Sequence, residues 1–256
     1  MVNKKIAFTL AEVFFHPTEQ SKRIGFTLAE VLITLGIIGV VAALTMPSLI
    51  NNAKNKELET AFKKSYSNLS NAFQRMYLED YNGTEIDYDL SKMVNNLQKY
   101  YAKTSACING HTGCSTSVFP MENFEGADSG NFLMTNYKSY NAQSFALGYC
   151  NDGIMSVSDG SFIYFDVSTP SQVDDFGNFY ICVDTNGWKK KPNKLGHDFF
   201  LFQVNQKNGK LYPMGLNGTR FHKDTYCSLS SNARENGYGC TAKALSDKDY
   251  FKNLPK

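Results

Sequence analysis

The stretch GFTLAEVLITLGIIGVVAALTMPSLI, Gly25–Ile50, determines how the rest of the chain is organised. From Phe26 to Met46 it contains 21 residues and a single charge, Glu30. At a rise of about 1.5 Å per residue, a helix of this length spans roughly 32 Å, enough to cross a hydrocarbon core of about 30 Å. Residues 26–46 are therefore predicted to form a transmembrane helix.

The flanking charge predicts the orientation of this helix. Lys22 and Arg23 lie just before it, and basic residues tend to remain on the cytoplasmic side of a membrane. We therefore expect a single-pass protein of the inner, cytoplasmic membrane with its N-terminus inside. The remaining residues, about 200, would form a head outside the cytoplasm.

Glu30 is the unusual residue of the segment. A carboxylate within a spanning helix costs about 2.5 to 3.5 kcal/mol on insertion scales, so such residues are commonly functional. A second interpretation is that Glu30 lies near enough to the helix start for its carboxylate to reach the interface. Charge and hydropathy alone leave both interpretations open.

The motif Gly-Phe-Thr-Leu-Ala-Glu followed by an apolar run resembles the N-terminus of type IV prepilins and type II secretion pseudopilins. The resemblance implies that a prepilin peptidase cleaves after Gly25 and that Phe26 then becomes N-methylated. The family's glutamate matches Glu30, and its proline matches Pro47. Two departures are Ala29, where many members carry a large aliphatic residue, and Ile24, where a basic residue is common.

The resemblance also implies a mode of assembly. The family's subunits wait in the membrane and are drawn by an inner-membrane assembly platform into a helical filament with other subunits. The carboxylate of Glu30 would neutralise the N-terminal amine of Phe26, either its own or that of a neighbouring subunit. A pairing with the neighbour would set the axial stagger between subunits.

Small residues of the apolar run predict helix–helix contacts. Gly39 and Ala43 form a small-x-x-x-small pair, and Gly36 adds a second notch. The alternative is that glycine is merely common in membrane helices. Pro47 removes a backbone donor and is expected to kink the helix or melt it locally.

The segment before the anchor, residues 1–25, is predicted to be a leader that is removed. Its stretch Ala7–Val13 repeats the Phe-Thr-Leu-Ala-Glu-Val of the anchor, but no membrane span follows this first copy. No small-residue cleavage site follows the first apolar run, as it would in an ordinary secretory signal. The duplication leaves the true start codon open.

Residues 47–82 are predicted to continue the helix in amphipathic form, ending at a glycine stop formed by Asn82 and Gly83. Residues 83–256 are predicted to form an α+β head, with a helix over Leu90–Ala102 capped by Asp89 and an antiparallel sheet. The apolar stripe of the first helix recurs every three or four residues: Leu58, Phe62, Tyr66, Leu69, Phe73 and Met76. The predicted strands are Ser144–Cys150, Gly153–Ser158, Ser161–Val167, Asn178–Asp184, Phe199–Asn205 and Lys210–Tyr212. A short helix is predicted near Ala242–Tyr250.

Six cysteines, all in the predicted head, indicate disulfides formed in an oxidising compartment. The sequence alone permits about 15 pairings. We predict the sequential one, with the pairs Cys107–Cys114, Cys150–Cys182 and Cys227–Cys240. Free or metal-binding thiols are the alternative, although the lack of a Cys-x-x-Cys pair disfavours zinc.

Charge and motif content argue against several functions. The leader carries four basic and two acidic residues, and its removal leaves 22 basic and 22 acidic residues, so net charge does not favour nucleic acid. No catalytic motif is recognised, and His111, His197 and His222 are scattered and are predicted to be loop residues. The chain is therefore predicted not to be an enzyme and to require no cofactor.

One stretch of the head is a candidate calcium site. Asp184, Asn186 and Asp198 supply oxygen ligands on glycine-bearing turns, which suit Ca²⁺. Major pseudopilins carry a calcium-binding loop in this part of the head, and the stretch resembles it loosely. The alternative is an Asx-turn loop between two strands.

The same stretch carries a basic run, Trp188 with Lys189–Lys191 and Lys194, that could contact DNA phosphates as DNA-uptake pilins do. A solvated loop is the alternative. We therefore predict a structural subunit of a type II secretion pseudopilus or a type IV pilus. The competing functions are a minor tip pilin that binds DNA or a surface ligand, and a membrane-anchored enzyme or receptor.

Overall fold

A computed structural model of the chain describes residues 25–87, 89–108, 118–119, 137–143, 149–167, 177 and 179–255. Residues 1–24 of the predicted leader lie outside this part. The chain divides into two compact units, Met1–Ser48 and Leu49–Lys256. The division falls one residue after Pro47.

The first element is a 52-residue helix, α1, Leu28–Glu79. Its helical structure continues through Pro47, so the local melting expected there is not found. In the second unit the predicted stripe supplies the core: Phe62, Leu69, Phe73 and Met76 are at most 1% exposed. Tyr66 packs at the edge of the same core.

The end of α1 is closed by a left-handed residue. Asn82 has φ of 51°, and the Gly83 amide donates a hydrogen bond of 2.9 Å to the Tyr77 carbonyl. This bond, from residue i+6 back to residue i, satisfies a carbonyl of the last turn of the helix. The predicted stop is thus formed by asparagine in the left-handed position, with glycine after it.

Six antiparallel strands make one sheet in the order β1-β2-β3-β4-β5-β6, so every strand pairs with its neighbours in sequence. The strands are β1 Ser105–Ile108, β2 Gly153–Ser156, β3 Phe162–Val167, β4 Phe179–Asp184, β5 Phe199–Asn205 and β6 Lys210–Pro213. The α+β class predicted from the sequence, with a long N-terminal helix and an antiparallel head, is confirmed.

Apart from shifts of one or two residues at strand ends, two details of the sheet differ from the prediction. β1 is a strand that the sequence did not predict, and it pairs with β2 from Ser105 opposite Ser156. The strand expected over Ser144–Cys150 is not formed at Tyr149 or Cys150, and its other residues lie outside the described part.

The sheet is covered on both faces, which explains why every residue of β4 is buried. One face packs on α1, where the rings of Phe62 and Phe200 lie 4.0 Å apart. The opposite face, with Tyr180 and Leu201, packs on Tyr238 and other residues of the C-terminal region. The head therefore has two apolar layers with the sheet between them.

The remaining elements are short. Helix α2, Leu90–Gln98, ends before the predicted Ala102 and is capped by Asp89, which accepts a hydrogen bond of 2.9 Å from the Lys92 amide. The C-terminal region contains α3, Lys223–Tyr226, and α4, Thr241–Ser246. The short helix predicted near Ala242–Tyr250 is formed in its first part by α4, and a 3₁₀ turn, Phe251–Asn253, follows beyond the predicted range.

One disulfide lies at the sheet and another lies within the C-terminal region. Cys150 pairs with Cys182 of β4, and Cys227 pairs with Cys240, as the sequential pairing predicted. Cys107 of β1 is also disulfide-bonded. Its predicted partner, Cys114, lies outside the described residues.

Candidate assembly site

The start of α1 is closed by reciprocal hydrogen bonds between Thr27 and Glu30. The Oε2 atom of Glu30 accepts from the Thr27 amide at 2.7 Å and from the Thr27 hydroxyl at 2.8 Å. In return, the Oγ1 atom of Thr27 accepts from the Glu30 amide at 3.2 Å. This arrangement is a capping box, in which two side chains satisfy amides that the first turn leaves unpaired.

Sequence reasoning missed this role for Glu30, although the signal was present. The spacing Thr-x-x-Glu immediately before an apolar run is the sequence signature of a capping box. The carboxylate also lies at the positive end of the helix dipole, which favours a negative charge. Glu30 is therefore compensated within its own chain, and a neighbour's amine is not its only available partner.

The residues that follow are apolar and uncovered. Phe26 is 82% exposed, Leu28 80% and Leu44 76%. By length and composition α1 can cross a membrane, and none of its most apolar stretch is buried. An exposed apolar surface of this extent needs lipid or other helices to cover it.

The small residues predicted to pack against another helix have free space around them. A Cβ atom added to Gly36 or Gly39 would meet nothing within 4 Å. Gly36, Gly39 and Ala43 are spaced by three and four residues, so they lie on one face of α1. Another helix could therefore approach this face closely. Pro47, four residues beyond Ala43, continues the same face without ending the helix.

The predicted calcium ligands are held by loop hydrogen bonds. Asp184 ends β4, and its Oδ1 accepts from the Gly187 amide at 2.8 Å and the Asn186 amide at 3.2 Å, while Oδ2 accepts from the Tyr137 hydroxyl. The carboxylate of Asp198, just before β5, accepts from the Lys194 amide at 2.7 Å and from a second loop amide. The two aspartates therefore organise the loop between β4 and β5.

Both carboxyl groups are fully buried, and burial perturbs them. Burial raises the pKa of Asp184 to about 6, against the opposing effect of its hydrogen bonds. Burial and the nearby charge of Asp184 raise the pKa of Asp198 to about 8. The pair consequently favours retention of a proton near neutral pH.

The oxygen atoms at this loop form only part of a cation-binding site. Each of the four carboxylate oxygens of Asp184 and Asp198 already accepts a hydrogen bond. The side-chain amide nitrogen of Asn186 donates to the Lys191 carbonyl at 3.3 Å. Among the described residues no group of three histidine, cysteine or acidic side chains could hold a metal ion. The buried Oδ1 atoms of Asn186 and Asn193 have no hydrogen-bond partner, so they remain available as ligands.

The fold exposes some lysines of the basic run and buries another. Lys189–Lys191 are exposed, and the Lys189 ammonium lies 5.0 Å from the centre of the Trp188 ring. Lys194 is only 7% exposed, and burial lowers the pKa of its ammonium, so it does not belong to the exposed patch. The predicted contribution of Lys194 to a phosphate-binding surface is therefore wrong.

The histidines form no catalytic centre within the described residues. His197 is 4% exposed, and burial lowers its pKa to about 3, so it is neutral at physiological pH. His222 caps α3 by accepting from the Asp224 amide at 3.5 Å. His111 lies outside the described residues.

A family model described as the prokaryotic N-terminal methylation motif matches residues 20–46. This chain carries the prepilin signature. The signature contains the predicted cleavage position, the capping box and the open notch of α1, whereas the head lies outside it. Comparisons with curated proteins and with solved structures give no match.

Proposed function

We propose that the chain is a structural subunit of a type II secretion pseudopilus or a type IV pilus. Cleavage after Gly25 by a prepilin peptidase would expose Phe26, which is then methylated, and the apolar part of α1 would pack against α1 of other subunits. The observation that carries the proposal is the uncovered apolar helix with one acid, placed within a prepilin signature. Proteins with this signature are generally structural rather than enzymatic.

The capping box suggests how one acid serves two stages. While the subunit is stored in the membrane, Thr27 supplies the hydrogen bonds that stabilise the Glu30 carboxylate. During assembly the methylated amine of a neighbour's Phe26 would take the place of Thr27. Exchange of a neutral donor for a cation would add a Coulombic attraction between two full charges, which is stronger in the low dielectric of a membrane than in water.

Mass spectrometry of the protein from cell envelopes tests the processing step. We expect a mature chain that begins at Phe26 and carries one additional methyl group on its N-terminal amine. A chain that retains residues 1–25 in cells with an active prepilin peptidase would contradict the proposal. Co-purification of the mature chain with sheared filaments would distinguish a surface pilus from a periplasmic pseudopilus.

A second candidate function is that of a minor pilin at a filament tip that binds DNA. The exposed run Lys189–Lys191 beside Trp188 favours it, because cations and an aromatic ring are the groups that contact phosphates and bases. Alanine substitution of Lys189–Lys191 would weaken DNA binding by the full chain, and alanine substitution of three other exposed lysines, Lys54, Lys207 and Lys248, is the charge-matched control. Equal binding by the two variants would leave only the structural role.

Calcium binding by the loop between β4 and β5 is a further proposal for the head. Asp184, Asn186, Asn193 and Asp198 would supply the oxygens. A site of this kind raises the melting temperature as calcium is added, because a ligand of the folded state stabilises it. An unchanged melting temperature in millimolar Ca²⁺, compared with the same concentration of Mg²⁺, would remove the proposal.

A further inference from the structure

We propose that Asn82 is an N-glycosylation site, modified by a membrane-bound oligosaccharyltransferase outside the cytoplasm. The inference rests on the proposed function in one respect, namely that the head is exported. It adds a covalent modification that the prepilin signature does not imply, since Asn82 lies outside residues 20–46.

Three segments of the chain have the acceptor pattern Asn-x-Ser/Thr with no proline in the middle: Asn68-Leu69-Ser70, Asn82-Gly83-Thr84 and Asn217-Gly218-Thr219. The pattern alone does not select among them. An acceptor asparagine must be exposed, and its backbone must be able to leave the protein surface and enter the enzyme's binding groove. The structure separates the three segments on both requirements.

Asn68 fails the second requirement. It lies within α1, and the next residue, Leu69, is fully buried in the core against the sheet. Presenting this segment would unwind the middle of the helix and expose an apolar side chain that the core needs, at a cost of about 1.5 to 3 kcal/mol for the side chain alone.

The Asn217 segment fails because the hydroxyl of its third residue, Thr219, is buried and already hydrogen-bonded within the head. Thr219 is 8% exposed, and its Oγ1 donates to the Leu216 carbonyl at 2.7 Å and accepts from the Gly215 amide at 3.0 Å. The side-chain oxygen of Asn217 itself lies 3.2 Å from the His222 ring. Both recognition groups of this segment are therefore occupied within the head.

Asn82 meets both requirements. It lies in the turn that ends α1, three residues beyond Glu79, and Asn82, Gly83 and Thr84 are all exposed. The Asn82 side chain makes no hydrogen bond or ion pair with any described residue, and the Thr84 hydroxyl donates only to the Tyr81 carbonyl. Hydrogen bonds of the Gly83 amide and carbonyl to Tyr77 hold this turn, and they can open at low cost at a helix end, so the turn can be drawn into an enzyme groove.

The residue two places before the asparagine also distinguishes the three segments. Asp80 stands two places before Asn82, whereas Tyr66 and Gly215 stand two places before the other candidates. Asp80 is partly exposed at the end of α1 and pairs there with Lys99 at 2.6 Å. An enzyme whose groove carries a cation for an acidic residue at this place would select the Asn82 segment.

The reaction needs a polyprenyl-diphosphate oligosaccharide as donor. The side-chain nitrogen of Asn82 forms a bond to the anomeric carbon of the first sugar, while the bond from that carbon to the diphosphate oxygen breaks. Polyprenyl diphosphate leaves with the electron pair, and one amide proton passes to a base of the enzyme. No oxidant or reductant takes part.

Mass spectrometry of the full chain from the cell envelope of its own host tests the inference. We expect a saccharide mass on the peptide that contains Asn82 and none on the peptides with Asn68 and Asn217, which serve as internal controls. Thr84→Ala should abolish the added mass although Asn82 remains, and Thr84→Ser should retain it. Asn82→Gln should abolish it as well.

Two outcomes would overturn the inference: a bare Asn82 in the wild-type chain, or an added mass on that peptide that persists in Thr84→Ala. The N-terminal peptide is read in the same spectrum and decides the processing step separately. A chain that begins at methylated Phe26 with bare Asn82 refutes glycosylation and leaves the proposed subunit role intact. A glycosylated chain that retains the leader supports glycosylation and refutes the subunit role.

Discussion

The carboxylate of Glu30 accepts both the amide and the hydroxyl hydrogen bonds of Thr27, three residues earlier. The contact makes the only acid of the apolar segment part of the helix start. A capping box stabilises the first turn, and it also supplies donors to a charge that lipid would otherwise leave unsatisfied. Because the contact is within one chain, it does not depend on assembly and can be exchanged for another donor.

Variants at the two positions separate a capping role from an assembly role. We expect Glu30→Ala to leave cleavage after Gly25 intact but to lower incorporation into filaments strongly, because the proposed partner of the neighbour's amine is lost. Thr27→Ala should weaken the helix start by about 1 kcal/mol and lower incorporation only modestly, because the acid remains. Cleavage is measured by the mass of the mature chain and incorporation by immunoblotting of sheared filaments.

Equal incorporation defects in Glu30→Ala and Thr27→Ala would show that Glu30 acts through the helix cap alone. Normal incorporation of Glu30→Ala would contradict the assembly role altogether. Thr34→Val is a matched control, because the Thr34 hydroxyl bonds only to carbonyls of the preceding turn, at 2.9 Å.

Two glycines test how closely the hairpin between β5 and β6 approaches α1. Gly209 has φ of 64°, and a Cβ atom there would lie 2.4 Å from the Cβ of Tyr77. Gly160, in the hairpin between β2 and β3, has φ of 89° but nothing within 4 Å of the same position. Both substitutions to alanine carry backbone strain of about 1 to 2 kcal/mol, while only Gly209→Ala adds overpacking of about 1 to 3 kcal/mol.

We therefore expect Gly209→Ala to lower the free energy of unfolding more than Gly160→Ala does. The measurement is thermal or urea unfolding of the detergent-solubilised full chain, followed by near-UV circular dichroism. Equal losses would mean that α1 and the hairpin do not approach as closely as the Tyr77 ring implies.

Much of this fold was predictable because its signals are local. The stripe from Leu58 to Met76 fixes which face of α1 is buried, and the dipeptides Asp159-Gly160 and Asn208-Gly209 mark two hairpins in the sheet. The strand Phe199–Asn205 was located with its correct bounds from aromatic and β-branched residues alone.

The features that the sequence did not predict depend on tertiary contacts, or on the Thr-x-x-Glu spacing, which was not interpreted as a capping box. β1 is four residues long and has no pattern of its own, so pairing with β2 defines it. The burial of Lys194 follows from the packing of the loop before β5, which a run of charges does not reveal. The capping role of Glu30 was visible in the sequence, but the glutamate was interpreted either as an assembly residue or as one whose carboxylate reaches the membrane interface.

The ion pair between Lys64 and Asp159 predicts a pH dependence. The Lys64 ammonium lies 2.9 Å from Oδ2 of Asp159, which joins α1 to the turn between β2 and β3. Burial alone would raise the pKa of the Asp159 carboxyl, but hydrogen bonds from Lys64 and Ser161 outweigh it and hold the pKa below its ordinary value.

A carboxyl with a lowered pKa in the folded state stabilises the fold above its unfolded pKa, and this contribution disappears as the pH falls through the folded pKa. We expect Lys64→Ala to cost about 0.2 to 1 kcal/mol at neutral pH, since the pair is partly exposed, and to lose this cost as the pH falls through the lowered pKa of Asp159. Lys54→Ala is the control, because Lys54 makes no ion pair with a described residue. A cost that is the same at neutral and acidic pH would show that Lys64 acts through packing instead.

The two fully described disulfides should differ in their contribution to stability. Cys150 and Cys182 are 32 residues apart, whereas Cys227 and Cys240 are 13 apart. In the chain-entropy model, closing the longer loop stabilises the fold by about 4 kcal/mol and closing the shorter loop by about 3 kcal/mol. Alanine replaces each pair, because all four cysteines are buried and alanine introduces no unsatisfied polar group.

We expect both double-alanine variants to unfold at lower temperature than the wild type, with the larger loss for the Cys150–Cys182 pair. This pair also joins β4 to the segment before β2, so its removal lets the centre of the sheet open. Each double variant is compared with its two single variants under reducing conditions, which separates the cross-link from the loss of side-chain volume. A larger loss from the Cys227–Cys240 pair would mean that the C-terminal region, and not the length of the closed loop, determines which cross-link the head needs most.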